Sequence, residues 1–484
     1  MAHATRRPLA MPLTLLALAV LLSVRTESPR AESLIQLWEH VVESNPTLKS
    51  SEHAVEQARA QQDQVLAKLL PNAAIKGFYS YNSLNDSVNN NGFNLFSGNN
   101  KEYGGYNGNI TISQALFDLP SYLRLQGANK QTQQQEASAL AQRMEIAYKM
   151  LDQYLAILET DDLIAQLDAE LEATQAQITR LQHMHESQLA KVTDLYEVEA
   201  FGQSLETSRI EANHQRAIFS EKLREITGVP VHNPDRLVEN NFPEMQRSAD
   251  EWVEEALTSN PMLLSLQYAA ESAQQMIQSA HAEHLPTASV SASETIANTI
   301  YNNLQTNGLD SYNIGSLYLN VNIPLFSGGG TEAGVRESVQ RYQISREKIE
   351  EVRRSIEREV RTSWFNIDSG RSRIASTLRE VGFREKAKIA QTTSYSIGTT
   401  TIVDLLDSHK KLLKARTEYQ KARYDYIRSL IRLRMNAGSL ADLDIESISF
   451  WFARAAPPET HHPKAPLPRK ISSESRPQPA PHHP

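Results

Sequence analysis

Residues 316–323 read Ser316-Leu317-Tyr318-Leu319-Asn320-Val321-Asn322-Ile323. Leu317, Leu319, Val321 and Ile323 fall on one face of an extended chain, opposite Ser316, Tyr318, Asn320 and Asn322. This alternation predicts a strand, because successive side chains of a strand point to opposite faces. Pro324-Leu325-Phe326-Ser327-Gly328-Gly329-Gly330 then ends it. Working back, residues 287–297 set Ala288, Val290 and Ala292 against Ser289, Ser291 and Ser293, a partner strand of the same kind. One apolar face with small polar groups opposite is what a lipid-facing barrel wall requires. A half-buried hairpin in a soluble domain would carry the same alternation.

The first half of the chain repeats the plan. Ile75, Gly77, Tyr79 and Tyr81 alternate with Lys76, Phe78, Ser80 and Asn82, and Tyr106, Ile110 and Ile112 oppose Asn107, Asn109, Thr111 and Ser113. Between them, residues 83–102 are rich in Asn, Gly and Ser and predict an exposed loop. Leu37-Trp38-Glu39 with Glu43-Ser44-Asn45-Pro46 returns as Trp252-Val253-Glu254 with Thr258-Ser259-Asn260-Pro261, and Leu70-Pro71 returns as Leu285-Pro286. Val192-Thr193-Asp194-Leu195 matches Ile402-Val403-Asp404-Leu405, and Ile226-Thr227-Gly228 matches Asn436-Ala437-Gly438. Order and spacing kept over this length mark an internal duplication. Residues 33–228 form the first repeat and residues 251–450 the second.

Each repeat is expected to run helix, strand, strand, long helix, helix. The hairpins span 72–115 and 287–323, and the helices span 118–186, 194–227, 331–396 and 402–437. A first helix over 47–70 ends at Pro71, which pushes the residue before it out of the α region. Leu140, Met144, Ala147, Leu151, Tyr154 and Leu158 step by the rhythm of a coiled-coil seam, and Ile349, Val352, Ile356 and Val360 continue it in the second copy. Nearly 70 residues of helix make a rod of roughly 100 Å, too charged to enter a bilayer and several times thicker than its hydrocarbon core.

Between the last two helices lies Tyr395-Ser396-Ile397-Gly398-Thr399-Thr400-Thr401-Ile402-Val403-Asp404-Leu405-Leu406-Asp407. Gly398 can take the left-handed conformation that closes a helix. Thr401 followed by Asp404 fits an N-terminal cap, with Asp404 and Asp407 one turn apart. As they stand, the two acids also fit a solvated first turn that complements the helix dipole.

The 484-residue chain has a formal net charge of -8 and no cysteine. That balance argues against a nucleic-acid binder, and the lack of cysteine removes disulfides, thiolate metal sites and lipidation of a cysteine. Arg6 and Arg7 followed by an apolar run from Leu9 to about Val24 predict a secretory signal peptide over residues 1–31, or alternatively an uncleaved anchor. No clean cleavage triplet stands between Ser23 and Ala31. No later apolar run reaches about 18 residues, so any membrane crossing must be made by strands. Residues 229–250 carry Pro230, Pro234 and Pro243 and form an irregular linker, against which residues 440–452 are expected to pack. Residues 453–484 are rich in proline and histidine and read as a disordered tail. No P-loop, zinc-ligand cluster or nucleophile motif occurs, and His183 and His185 read as solvated helix residues, so the chain is not expected to be an enzyme or to need a cofactor or metal.

Four strands cannot close a barrel, and an open edge in lipid leaves backbone groups unpaired at several kcal/mol each. Three chains would supply about twelve strands and close every edge. The alternative is a periplasmic coiled-coil adaptor or scaffold with no pore of its own.

The duplicated plan, the Leu-Pro before each hairpin, the Pro324 to Gly330 exit, Leu223-Arg224-Glu225-Ile226-Thr227-Gly228 and the Ile397 to Asp407 corner together resemble the outer-membrane efflux family, over about residues 33–450. The resemblance implies a mixed α+β fold, mainly long α-helices, with four strands contributed to a homotrimeric twelve-stranded barrel. It implies an outer-membrane channel-tunnel of a Gram-negative bacterium with a large periplasmic part. Such a channel serves tripartite multidrug efflux or type I secretion, docked to a periplasmic adaptor and an inner-membrane pump of RND or ABC type. Asp404 and Asp407 would form acidic rings at the pore entrance. About six carboxylates there would titrate jointly, with raised apparent pKa values, and hold multivalent cations best. Asp194 and Glu197 take the matching positions in the first copy. The resemblance also implies a gate-latch hydrogen bond between Tyr395 and Asp194, and adaptor contacts at Ile397, Gly398, Thr399, Gln188 and Leu189. The chain departs from the family's pattern where Thr400 stands in place of an arginine and where Ser187-Gln188-Leu189 lacks a glycine.

Overall fold

The computed structural model describes residues 33–84, 101–231, 234–237, 247–301, 311–440, 442–449 and 451–453. The expected leader and all of the expected tail except Ala453 lie outside the described residues.

Each repeat begins with a helix pair rather than one helix. Helix α1 (Leu34–Ser44) gives way to α2 (Pro46–Ala67), and α5 (Ala249–Ser259) to α6 (Pro261–Ala282). The break falls at Asn-Pro in both copies, because Asn45 and Asn260 sit in extended conformation and cap the next helix through their side-chain oxygens. Proline at the first helical position needs no N–H partner. Each asparagine also donates from Nδ2 across to the far end of its own repeat, Asn45 to the Ile226 carbonyl and Asn260 to the Asn436 carbonyl, both at 2.8 Å. One side chain thus fixes the helix start and ties it to the repeat's last helix.

The strands β1 (Asn72–Leu84), β2 (Lys101–Phe117), β4 (Thr287–Tyr301) and β5 (Ser311–Asn322) form one antiparallel sheet in the order β1-β2-β4-β5. The two repeats therefore meet at β2–β4, and β1 and β5 are the free edges. Register aligns Ile112, Ala292 and Leu317 in one row, and Thr111, Ser293 and Ser316 in the next. Neighbouring rows point to opposite faces, so the sheet has an apolar side and a polar side. The apolar side is bare, with Leu317 76% and Ile75 79% exposed. The polar side is laced by side-chain bonds, Asn109 donating to Thr295 at 2.7 Å and Asn320 to Ser291 at 3.0 Å. After β5 the backbone turns through two left-handed glycines, Gly328 and Gly329.

Below the sheet run two helical hairpins, α3 (Leu119–Glu186) with α4 (Val192–Thr227) and α7 (Gly330–Ser396) with α8 (Ile402–Asn436). At 1.5 Å per residue, the 68 residues of α3 span about 100 Å. Met144, Ala147, Leu151, Tyr154 and Leu158 are buried as the seam requires, whereas Leu140 is 47% exposed. Leu140 alone departs from the series, since Ala128 and Ala137 before it are buried. In the second copy Ile356 and Val360 are buried, with Ile349 and Val352 packed against them.

The main core lies near the middle of the long helices, where Trp38, Met150, Tyr154, Leu223, Tyr424, Ile448 and Phe452 pack together. Residues beyond α8 do pack on the linker. Helix α9 (Asp442–Ser449) leads to β6 (Phe452–Ala453), which pairs with β3 (Arg236–Leu237). Ala453 therefore belongs to a strand, where the sequence placed it in the tail. Tyr154 joins this layer to α3, its hydroxyl donating to the Asp235 carbonyl at 3.2 Å and its ring meeting Phe452 edge-on. Among the described residues, no helix is long and apolar enough to cross a membrane.

Candidate functional site at the helical tips

Both hairpins turn in the same way. At the second tip Gly398 takes φ 78°, its N–H donates to the Tyr395 carbonyl, and the Thr399 N–H reaches back to the Ser394 carbonyl. At the first tip Gln188 takes φ 57°, with Gln188 N–H to His185 and Leu189 N–H to Met184. These are helix-closing bonds that a left-handed residue makes possible. Glycine adopts that conformation freely, whereas Gln188 pays for its Cβ. Gln188 is the one non-glycine residue with positive φ among the described residues.

The next helix starts differently at the two tips. Thr401 and Asp404 form a reciprocal capping box: the Asp404 N–H donates to Thr401 Oγ1, and Thr401 N–H and Oγ1 both donate to the Asp404 carboxylate. Thr400 adds a further hydroxyl donor at 3.1 Å and itself accepts from Gln391 at 2.7 Å. The bonds from Thr401, then Thr400, hold the exposed Asp404 carboxyl below its ordinary range. Thr400 thus ties α7 to the first turn of α8. Asp407 is exposed one turn on and pairs with Lys411 at 2.6 Å. At the first tip Lys191 precedes α4 and no side chain caps the helix.

Ile402, Leu405 and Leu406 pack beneath the second tip against Leu195, Val198 and Phe201 of the first, which turns Asp404 and Asp407 outward. Ile397 and Leu189 stand out at the two apices, 69% and 73% exposed. Tyr395 packs against this cluster close to Asp194. Burial first, and the Asp194 charge second, push its phenol upward, while Arg180 opposes them. Tyr395 and Asp194, the residues of the expected latch, thus stand as electrostatic neighbours.

Deeper between the hairpins lies a group that sequence reasoning missed. Glu170 of α3 contacts His409 of α8 through Oε1 and Lys388 of α7, at 3.2 Å, through Oε2. Partners 239 and 218 residues away leave no local signal.

A four-stranded sheet with one polar and one bare apolar face, continued into two rods of about 100 Å, defines the subunit of an outer-membrane channel. The chain belongs to the outer membrane efflux protein family, whose model matches residues 37–229 and 252–439. It is 25% identical over 444 residues to the outer membrane protein TolC of Salmonella enteritidis, covering 90% of this chain and 88% of that one. It is 26% identical over 451 residues to the alkaline protease secretion protein AprF of Pseudomonas aeruginosa, covering 91% of each. In fold it is similar to CusC, a protein studied for transmembrane channel formation, with a TM-score of 0.73, 16% identity and coverage of 86% of this chain and 95% of that one. The protein is thus an outer-membrane channel of efflux and type I secretion, with a large helical part in the periplasm of a Gram-negative bacterium.

Proposed function

We propose that three copies close one twelve-stranded barrel and continue it as a helical tunnel through the periplasm. The open sheet carries this reading: β1 and β5 each present an unpaired edge, and lipid tolerates none. Pairing β5 of one copy with β1 of the next would satisfy both and turn the polar face inward. Transport through it is passive, with no catalytic step in this chain.

The tips form the periplasmic mouth. Asp404 and Asp407 of three copies make acidic rings that attract cations, and Ile397, Gly398, Thr399, Gln188 and Leu189 offer the surface on which a periplasmic adaptor seats. An inner-membrane pump of RND or ABC type would complete the path for drugs or unfolded secreted proteins. The relatives' names, an alkaline protease secretion protein and an outer membrane efflux protein, support an export role. Opening separates the α7–α8 hairpin from α3–α4, with Tyr395 and Asp194 among the groups that part.

The purified protein tests the reading. It is expected to run as an SDS-resistant, heat-modifiable oligomer from the outer membrane and to conduct ions in planar bilayers. A monomer released in soluble form, without conductance, would favour the adaptor alternative and overturn it.

A further inference from the structure

A carboxylate interrupts the apolar face of the sheet. Register sets Ile75, Ile110, Glu294 and Gly315 in one row. That row lies two residues along from Ile112, Ala292 and Leu317, so Glu294 points outward with them. Its side chain leans across Gly315, where an added Cβ would stand 2.9 Å from Glu294 Oε2. The two residues bound a shallow recess of about 440 Å³ whose other walls include Ile110, Ile112, Ala292 and Leu317.

The outer face changes character at this row. Toward the helices it carries Leu317, Leu319 and Val321 on β5; away from them it carries Asn313 and then a row of Tyr79, Tyr106, Asn298 and Ser311. From Gly315 to Ile323 the chain runs about 26 Å, roughly 20 Å upright at the usual strand tilt. Leu325 and Phe326, 93% and 89% exposed, extend it toward the apolar band of about 25 Å that a barrel presents to lipid. Glu294 thus stands at the far rim of that band, at head-group level, just below two tyrosines of the kind that favour this depth. A carboxylate facing lipid is costly unless a cation meets it. Among the described residues, its outward neighbours in the adjoining rows are Gly108, Ile296, Asn313, Ile112, Ala292 and Leu317, all uncharged.

We propose that Glu294 and the recess at Gly315 form a lipid site on the outer wall of the barrel, in which the carboxylate takes the primary ammonium of an amine-headed lipid. The proposal rests on the barrel reading above. In the closed barrel β1 of the next copy adjoins β5, and its outward residues Ala73, Ile75, Gly77, Tyr79 and Tyr81 bring no cation either. The partner of Glu294 therefore comes from the membrane. A hydrated divalent ion wants about six or more oxygen ligands, and this row offers one carboxylate. An ammonium has three N–H donors and is satisfied by a carboxylate and water. The acyl chain below such a head group lies down the wall over Ala292 and Leu317, so one molecule meets both the charge and the apolar surface. Gly315 supplies the room, because any side chain there would push the carboxylate aside.

The full-length protein, reconstituted into vesicles of phosphatidylethanolamine and phosphatidylcholine in equal parts and then extracted in mild detergent, tests this. Mass spectrometry measures which lipid stays with the oligomer. The two lipids differ in the head group, a primary ammonium against a quaternary one that has no N–H to donate. The parent is expected to retain phosphatidylethanolamine several-fold over phosphatidylcholine, with EDTA present throughout. Glu294→Gln, which keeps the shape and loses the charge, should lose most of that preference. Gly315→Ala keeps the acid but displaces it, and should lower the preference as well; it carries the test should Glu294→Gln fail to assemble. Equal preference in parent and variants overturns the site while leaving the barrel intact. A preference that appears only with magnesium and vanishes in EDTA overturns the ammonium in favour of a bridging divalent ion. A protein that leaves the vesicles as a soluble monomer overturns the barrel reading itself, and the lipid site with it.

Discussion

Gln188 and Gly398 occupy the same place at the two hairpin tips, and both take left-handed backbone, at φ 57° and 78°. The hydrogen bonds around them match residue for residue, so the turn is dictated by geometry and only the side chain differs. A Cβ in this region costs about 1–2 kcal/mol. Gln188→Gly should therefore stabilise the first tip by roughly 1 kcal/mol. Gly398→Ala should weaken the second by a similar amount, since nothing within 4 Å obstructs its Cβ and only backbone strain acts. Limited proteolysis at each tip reads both effects, and equal cleavage of parent and variants would refute them.

The repeat ends make a sharper pair. Gly228 and Gly438 both have φ 75°, but a Cβ on Gly228 would meet only the Ser44 hydroxyl at 3.3 Å, whereas on Gly438 it would meet the Ser259 carbonyl oxygen at 2.4 Å. A hydroxyl can rotate aside and a backbone carbonyl cannot. Gly228→Ala should cost about 1–2 kcal/mol from backbone strain alone. Gly438→Ala should cost more, by about 1–3 kcal/mol of overpacking. The midpoint of thermal dissociation of the oligomer ranks the two, and a reversed order would contradict the contact.

Asn45→Ala and Asn260→Ala should each lose a helix cap, worth about 0.5–2 kcal/mol. Each also leaves a carbonyl, Ile226 or Asn436, without its side-chain donor. Asn→Ser keeps a cap oxygen but lacks the reach to that carbonyl, so it should recover only part of the loss. Thermal melts of the four variants would separate cap from cross-link.

The proposed acidic rings would respond to pH. The Asp404 carboxyl is held down by Thr401 and Thr400, so what its ionised form contributes is present above the ordinary value of 3.8 and is lost as pH falls through its lower, folded value. Repulsion within an assembled ring acts in the opposite sense. Block by a multivalent cation should vanish in Asp404→Ala/Asp407→Ala. It should fade at higher pH in Thr401→Ala than in the parent, with Thr401→Ser close to the parent. Bilayer recordings across an acid titration measure both, and persistent block in the double variant would remove the rings from the mouth.

Much of this was legible in the chain because period and repetition are local signals. Leu317, Leu319 and Val321 alternate strictly and lie bare on one face of β5. The order and spacing of Asn45-Pro46 and Asn260-Pro261 exposed the duplication, although not that each asparagine splits a helix in two. Thr401 and Asp404 announced their capping box, since both members lie within one turn. Long-range pairings were out of reach. Glu170, Lys388 and His409 carry no mark in sequence that links them, and the pairing of Ala453 with Arg236 depends on the chain folding back over the linker.

The two repeats are neighbours at β2–β4 within a single polypeptide. Tethering forbids either hairpin from taking the other's seat, so positions that began as duplicates are released from serving two surroundings at once. One apex could keep glycine and gain a capped acidic turn, while the other accepted glutamine and left its helix start bare. A wall assembled from unlinked half-length copies would have to carry the same residue at every apex, and could not let the two turns differ.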